Sequence, residues 1–404
     1  MSVRERETMV REAKNLMPRT SPRLTRRRFL AGTLAAAGLG VLPRLGRAAS
    51  GGQGKMESAL KYNIKNMRLL VENGGQTDWA RHDPELITYC RLEKDGFWDV
   101  WTIRSDGAGL APLTVDEPGI PRLNNANPGW HPSGKYIAFQ GERDRFFGDR
   151  FLSHPGVGGF CNVWLGKSDG SRFWQLTDLP CAATAEEARS KPVTGVLMPK
   201  FSHNGKKLHW SQWQSPGPKG EKGWWWDIRV ADFIDDEQNP RLANVTTYNP
   251  GPGPFKECFM FTPDDKKLLL AGNLEPGLAQ TALDLYLLDL TTGRVENLTR
   301  TPTAWEEGCK MSPDGKKIFF GSNEGYEHLL DPKNPFGTRQ AEYWIMDADG
   351  SNKRRLTWFH EPGHPFYRPG QTHAAVVSWA PDGRRLSACM GSGDKLEVRI
   401  IELE

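Results

Sequence analysis

One turn signature recurs along the chain and limits what it can fold into. Its clearest copies are Ser312-Pro313-Asp314-Gly315-Lys316-Lys317 and Ala380-Pro381-Asp382-Gly383-Arg384-Arg385, each followed by an apolar run. His131-Pro132-Ser133-Gly134, Thr262-Pro263-Asp264-Asp265, Ser202-His203-Asn204-Gly205 and His82-Asp83-Pro84-Glu85 are relatives of it. Proline in the second position and glycine in the fourth suit a type I turn joining two strands. A second segment lies downstream of each turn: Asp99-Val100-Trp101, Asn162-Val163-Trp164, Asp227-Ile228-Arg229, Asp284-Leu285-Tyr286, Glu342-Tyr343-Trp344 and Glu397-Val398-Arg399. In four units a further strand ends in Leu-Thr, at Leu113-Thr114, Leu176-Thr177, Leu298-Thr299 and Leu356-Thr357. Each unit thus holds four short strands, A to D, which predicts an all-β chain: a six-bladed β-propeller of four-stranded antiparallel blades. The sixth unit supplies strands A to C before Glu404, and Met67-Arg68-Leu69-Leu70-Val71-Glu72 is the candidate for its fourth. Closure by this N-terminal strand removes an exposed sheet edge.

Residues 1–48 read as an address label and 49–404 as the propeller. Thr25-Arg26-Arg27-Arg28-Phe29-Leu30-Ala31 resembles a twin-arginine export signal, with an Ala/Gly-rich apolar stretch to Leu42 and a small-x-small cleavage site at Gly46-Arg47-Ala48. The expected location is the periplasm or the cell exterior. The label holds 11 Lys/Arg against 3 Asp/Glu, a net +8, so the chain's overall +4 leaves −4 on the remainder. That balance gives no reason to expect a nucleic-acid partner. No apolar run is long enough for a transmembrane span, and a monomer is expected. The cysteines (Cys90, Cys161, Cys181, Cys258, Cys309, Cys389) lack metal-ribbon or haem spacing, and Cys161 with Cys181 is the candidate disulfide in an oxidising compartment.

The Ser-Pro-Asp-Gly-Lys-Lys turn and the segment Met346-Asp347-Ala348-Asp349-Gly350-Ser351-Asn352, with Arg355-Leu356-Thr357 after it, resemble the repeats of the TolB-like (WD40-like) propeller family. The resemblance covers roughly residues 65–404. It implies the fold, while the functions it brings are diverse: a protein-binding component of the cell-envelope Tol system, oligogalacturonate lyases, and the propellers that gate prolyl oligopeptidases. The sequence carries no Gly-x-Ser-x-Gly nucleophile elbow.

Strand direction puts A–B and C–D turns on one face, and the longer D–A and B–C loops on the other. Function is expected on that long-loop face, with a protein or an oligosaccharide as partner. His154, His328, His360, His364 and His373 all fall there. With Gln371, the last three form a candidate divalent-metal set (His360, His364, Gln371, His373), since imidazoles and an amide oxygen suit such an ion. Oligogalacturonate lyases hold a metal with His and Gln on this architecture, although the spacing around Gln371 and His373 departs from theirs. Glu257 and Glu307 each lie six residues before a turn proline (Pro263 and Pro313), at the start of strand A near the channel; Glu306 and Glu142 are neighbouring candidates. Paired carboxylates there would serve acid–base work on a sugar. Trp213, Trp224, Trp225, Trp305, Tyr326, Phe366 and Tyr367 would stack on sugar rings or anchor a protein. The first expectation is a non-enzymatic binding scaffold with no certain cofactor. The alternative is a metal-dependent polysaccharide lyase or hydrolase.

Overall fold

Apolar runs punctuated by Pro-Asp-Gly turns form strands in the computed structural model, which describes residues 62–404 apart from 144–149, 185, 218–219, 221–222, 280, 332–337 and 393–394. The candidate export signal lies outside the described residues. The described chain begins with β1 (Ile64–Glu72). Blade 1 follows as β2 (Gly74–Trp79), β3 (Leu86–Leu92), β4 (Trp98–Arg104) and β5 (Ala111–Pro112), and blade 2 as β6 (Asn125–Trp130), β7 (Tyr136–Glu142), β8 (Cys161–Lys167) and β9 (Phe173–Gln175). Blade 3 contains β10 (Val193–Phe201), β11 (Lys207–Ser215), β12 (Trp225–Ile234) and β13 (Arg241–Tyr248). Blade 4 contains β14 (Lys256–Phe261), β15 (Lys267–Gly272), β16 (Asp284–Asp289) and β17 (Val295–Asn297). Blade 5 contains β18 (Glu306–Met311), β19 (Lys317–Ser322), β20 (Glu342–Asp347) and β21 (Arg354–Arg355). Blade 6 combines β22 (Thr372–Trp379), β23 (Arg385–Ser392) and β24 (Lys395–Leu403) with β1, giving six four-stranded antiparallel sheets. Strands β2, β6, β10, β14, β18 and β22 touch one another in a closed ring around the central channel.

Closure follows the expected route. β1 runs antiparallel to β24 with Met67 opposite Ile401 and Val71 opposite Val398. It begins three residues earlier than the apolar run alone indicated, at Ile64, whose side chain packs on the blade 6 core beside Met67. Across the joint, Arg385 of blade 6 donates to Glu85 of blade 1 at 2.8 Å and 3.0 Å.

The recurring segments turn out to be two halves of one device. In blade 1 the Thr114 hydroxyl donates to Asp99 at 2.7 Å and accepts the Val100 N–H at 2.8 Å. Blades 2, 4 and 5 repeat this with Thr177 on Asn162 (3.2 Å), Thr299 on Asp284 (3.2 Å) and Thr357 on Glu342 (2.7 Å). The threonine pins strand D, which is short, to the start of strand C, and the preceding leucine enters the core: Leu113, Leu298 and Leu356 are buried. At the opposite end, the Ser312 hydroxyl donates to Asp314 at 2.6 Å and accepts the Lys317 N–H, closing the A–B turn. Gly315 sits there at φ 72°, a left-handed conformation that favours glycine. Asp265 fills the same place at φ 58° in blade 4, and its carboxylate accepts the His203 and Asn204 N–H groups of blade 3.

All six innermost strands carry a register shift midway, between residues 74/77, 126/129, 197/200, 258/260, 307/310 and 374/377. A bulge re-aims the side chains that follow it. The first half of each strand therefore serves the long-loop mouth of the channel and the second half the short-loop mouth.

The structure corrects two expectations about side chains. Cys161 and Cys181 are separate thiols, Cys161 donating to the Gly159 carbonyl and Cys181 accepting the Thr194 N–H at 3.3 Å. Trp213 is core rather than binding platform, 1% exposed, with its indole N–H on the Val157 carbonyl. No helix among the described residues is long and apolar enough to cross a membrane.

Because Ile401 is fully buried against β1, Ile401→Ala is expected to lower stability by about 2–5 kcal/mol. The loss should appear in one cooperative transition in denaturant followed by tryptophan fluorescence. A separate early transition would mean that the ring does not depend on this joint.

Candidate functional site

Glu257 and Glu307 are the second residues of β14 and β18, in neighbouring blades. Arg339, from the blade 5 B–C insertion, is only 4% exposed, is ion-paired to Glu307, and its charge acts on Glu257. Its guanidinium lies 5.0 Å from the Trp305 ring, and its backbone carbonyl accepts from the Gln371 side-chain amide at 3.1 Å. His373 lies beside it on β22, in a β-bridge to Ala341, with its ring filling the space over Gly391: a Cβ there would come within 1.8 Å of it. Glu257, Glu307, Gln371 and His373 are thus gathered around an arginine that the sequence did not single out.

Burial drives the electrostatics of this mouth. The Glu257 carboxyl is pushed well above the usual carboxylate range by burial, then by the neighbouring Glu307 charge, with Arg339 opposing. His373 is held down at about 3 by desolvation and by the Arg339 charge, so its imidazole is neutral. The mouth therefore offers a carboxylic acid, an ion-paired carboxylate and a neutral imidazole.

The other candidates lie elsewhere. Glu306 points away from the channel and is fully buried, 3.4 Å from the Lys353 ammonium and 3.4 Å from the Ser322 hydroxyl. Burial raises its carboxyl to about 7, with Lys353 pulling the other way. Glu142, at the end of β7, is fully buried and accepts from the Asn124 side-chain amide at 2.8 Å. His154 sets its ring edge-on to Trp98 at 5.6 Å between blades 1 and 2, where desolvation lowers it to about 4. His328 is exposed on a short 3₁₀ turn, Glu327–Leu329.

His360 and His364 take part in a different arrangement. The His360 ring faces Glu342 at 2.9 Å, so it completes the threonine–acid device of blade 5. Its ring lies 5.0 Å from that of Tyr326. The His364 ring lies 4.7 Å from Trp358, and Arg355 lies over both Trp358 (5.2 Å) and Tyr326 (5.5 Å). Tyr326, Arg355 and Trp358 form an aromatic–cationic shelf at the outer edge of blade 5; of these, only Tyr326 stood out in the sequence. Among the described residues no group of three or more His, Cys, Asp or Glu side chains is placed to hold a metal ion.

A frame of backbone bonds between blades holds the rim. Phe160 N–H donates to Thr194 and Val196 N–H to Gly158 between blades 2 and 3; Trp226 N–H donates to Pro254 between blades 3 and 4. Leu283 donates to Ala304 and Glu306 to Leu283 between blades 4 and 5, while Ala341 donates to Thr372 and Ala374 to Ala341 between blades 5 and 6. Between blades 1 and 2 the Trp98 N–H donates to the Asn124 side chain at 3.1 Å. The described ends of the insertions, where they join the strands, are thus bonded to the neighbouring blades.

No family model matches the chain. It is similar to dipeptidyl-peptidase 5 of Porphyromonas gingivalis, 25% identical over 259 residues, covering 57% of this chain and 34% of that one. The homonymous enzyme of Porphyromonas endodontalis is 25% identical over 247 residues, covering 56% and 33%. The chain spans about a third of the length of these curated relatives. Among solved structures, a putative TolB from Agrobacterium tumefaciens superposes with a TM-score of 0.52 at 16% identity, covering 84% of this chain and 96% of that one. An oligogalacturonate lyase in complex with manganese gives 0.46 at 11% identity, covering 85% and 95%. The likeness to the putative TolB establishes the fold, a TolB-like β-propeller.

A carboxyl raised in the folded state contributes stability that is complete below its unfolded value of 4.5 and is lost as pH rises through about 7. Glu306→Gln removes that dependence and leaves Lys353 paired to Glu324 at 2.6 Å. The variant should gain on the parent by up to about 3 kcal/mol between pH 4.5 and 7 in denaturant titrations.

Proposed function

We propose that the protein is an exported binding scaffold, acting in the periplasm or outside the cell, whose long-loop face captures a glycan or a protein segment. The observation that carries this reading is the stitched rim. Backbone bonds at successive blade junctions tie the described ends of the insertions to the ring before any partner arrives, and preorganisation of that kind lowers the entropic cost of binding. The charged groups on the rim are largely committed to one another: Glu307 to Arg339, Glu342 to His360, and Arg355 to Glu361. Tyr326 and Trp358 flank Arg355 and remain partly exposed, an aromatic surface of the kind that packs against a sugar ring.

Titration of oligosaccharides, including uronic-acid oligomers, into the protein by calorimetry should give saturable binding without turnover. Trp358→Ala should weaken it about ten-fold or more. Binding that is unchanged in Trp358→Ala would remove the shelf from the account.

A second reading rests on the unequal carboxyl groups at the channel mouth. Burial and the Glu307 charge push Glu257 toward its protonated form, while Glu307 is ion-paired to Arg339, and a protonated carboxyl beside a second carboxyl is a pairing that general acid–base work on a glycosidic bond can use. On this reading uronate oligomers are shortened by the parent protein, and Glu257→Gln abolishes product formation while binding persists. Intact oligomers after prolonged incubation with the parent protein would dismiss it.

A further inference from the structure

The opposite mouth of the channel carries chemistry that the proposed function does not use. Here the second halves of the innermost strands contribute one equivalent position from each blade: Asp78, Gly129, Lys200, Met260, Lys310 and Ser378. Two of the six are lysines, and both are almost wholly buried, at 4% and 5% exposed. The Lys200 side chain crosses Gly129, where a Cβ would sit 2.8 Å from the Lys200 Cδ, and its ammonium donates to the Pro128 carbonyl. Asp78 lies 3.9 Å away. The Lys310 ammonium donates to the Phe259 carbonyl at 2.5 Å. Arg81, on the blade 1 turn, reaches across to the Ser202 carbonyl at 3.2 Å.

These groups line a cavity of about 240 Å³ whose walls include Trp79, Trp130, Trp379 and Met260. Three cationic side chains face one lining carboxylate, Asp78. Each ammonium has three donors and makes one hydrogen bond to the described residues, so donors remain for a guest. The charges also burden one another. Desolvation and the Lys200 charge together pull Lys310 down to about 8, and an anion bound at the site would offset the repulsion between the two ammonium groups. The tryptophans and methionine beside the cations call for an apolar body attached to that anion.

We propose that the short-loop mouth of the channel is a binding site for an organic carboxylate with an aromatic or aliphatic body, held by Lys200, Lys310 and Arg81 against the tryptophan walls. A free acid and the carboxyl terminus of a peptide present the same chemistry. The site is separate from the Arg339 cluster at the other mouth, and neither reading depends on the other.

Calorimetric titration of the protein with 3-phenylpropionate, its neutral amide, the peptide Gly-Gly-Phe and inorganic phosphate tests the proposal. The acid, the peptide or both should bind at least about ten-fold more tightly than the amide, and Lys310→Met should weaken that binding about ten-fold or more. Binding of the free acid alone identifies a small-molecule guest; binding of the peptide alone identifies a chain terminus. Arg81→Gln, a change at an exposed turn, provides a second variant if Lys310→Met does not fold, and it should weaken binding at least about three-fold. Equal binding of acid and amide, binding of phosphate alone, no saturable binding by any probe, or unchanged affinity in Arg81→Gln would overturn the proposal.

Discussion

A sheet with an unpaired edge is an open invitation to other strands, and a radial array of sheets has faces that are covered only when the array closes. In this protein both conditions are met at blade 6, where β1 pairs with β24. Closure brings Met67 and Ile64 onto the blade 6 core and sets blade 1 beside it, with Val398 packed against Tyr89 and Trp79. The channel, its two mouths and the alignment of neighbouring insertions all presuppose that the ring is shut. The fold is therefore one cooperative object, although its sequence is modular.

Much of that object could be read directly. The Ser-Pro-Asp-Gly turns located strands A and B, and the Asp-Val-Trp and Leu-Thr segments located C and D. What the sequence could not show is that those last two segments bond to each other, because Asp99 and Thr114 are 15 residues apart. Had that link been visible, Glu342 would have been recognised as the blade 5 counterpart of Asp99, and His360 as its partner. Trp101 and Trp344 are only half-buried, covered by Arg91 and Lys353 respectively.

The sites were legible in part and for a clear reason. Glu257 and Glu307 were found because register relative to a turn proline survives the repeat. Arg339 was missed because it sits in an insertion, where no repeat constrains position, and its role exists only once blades 4, 5 and 6 are assembled around it. Lys200 and Lys310 were hidden in a different way. Each follows a bulge, and a shift in register sends its side chain into the channel instead of along the direction that simple alternation would assign. The bulges thus divide one channel into a mouth lined by acids and an arginine and a mouth lined mainly by cations and tryptophans.

The account holds above all that the rim is fixed before a partner binds. Native-state hydrogen exchange of the ligand-free protein measures this directly, at the Phe160, Val196, Leu283, Ala341 and Ala374 amides that bond between blades. If the rim belongs to the ring, these amides exchange only through global unfolding and share the protection of β24 amides. Protection lower by several kcal/mol than that of β24 would show that the insertions open on their own, and would contradict a preorganised binding face.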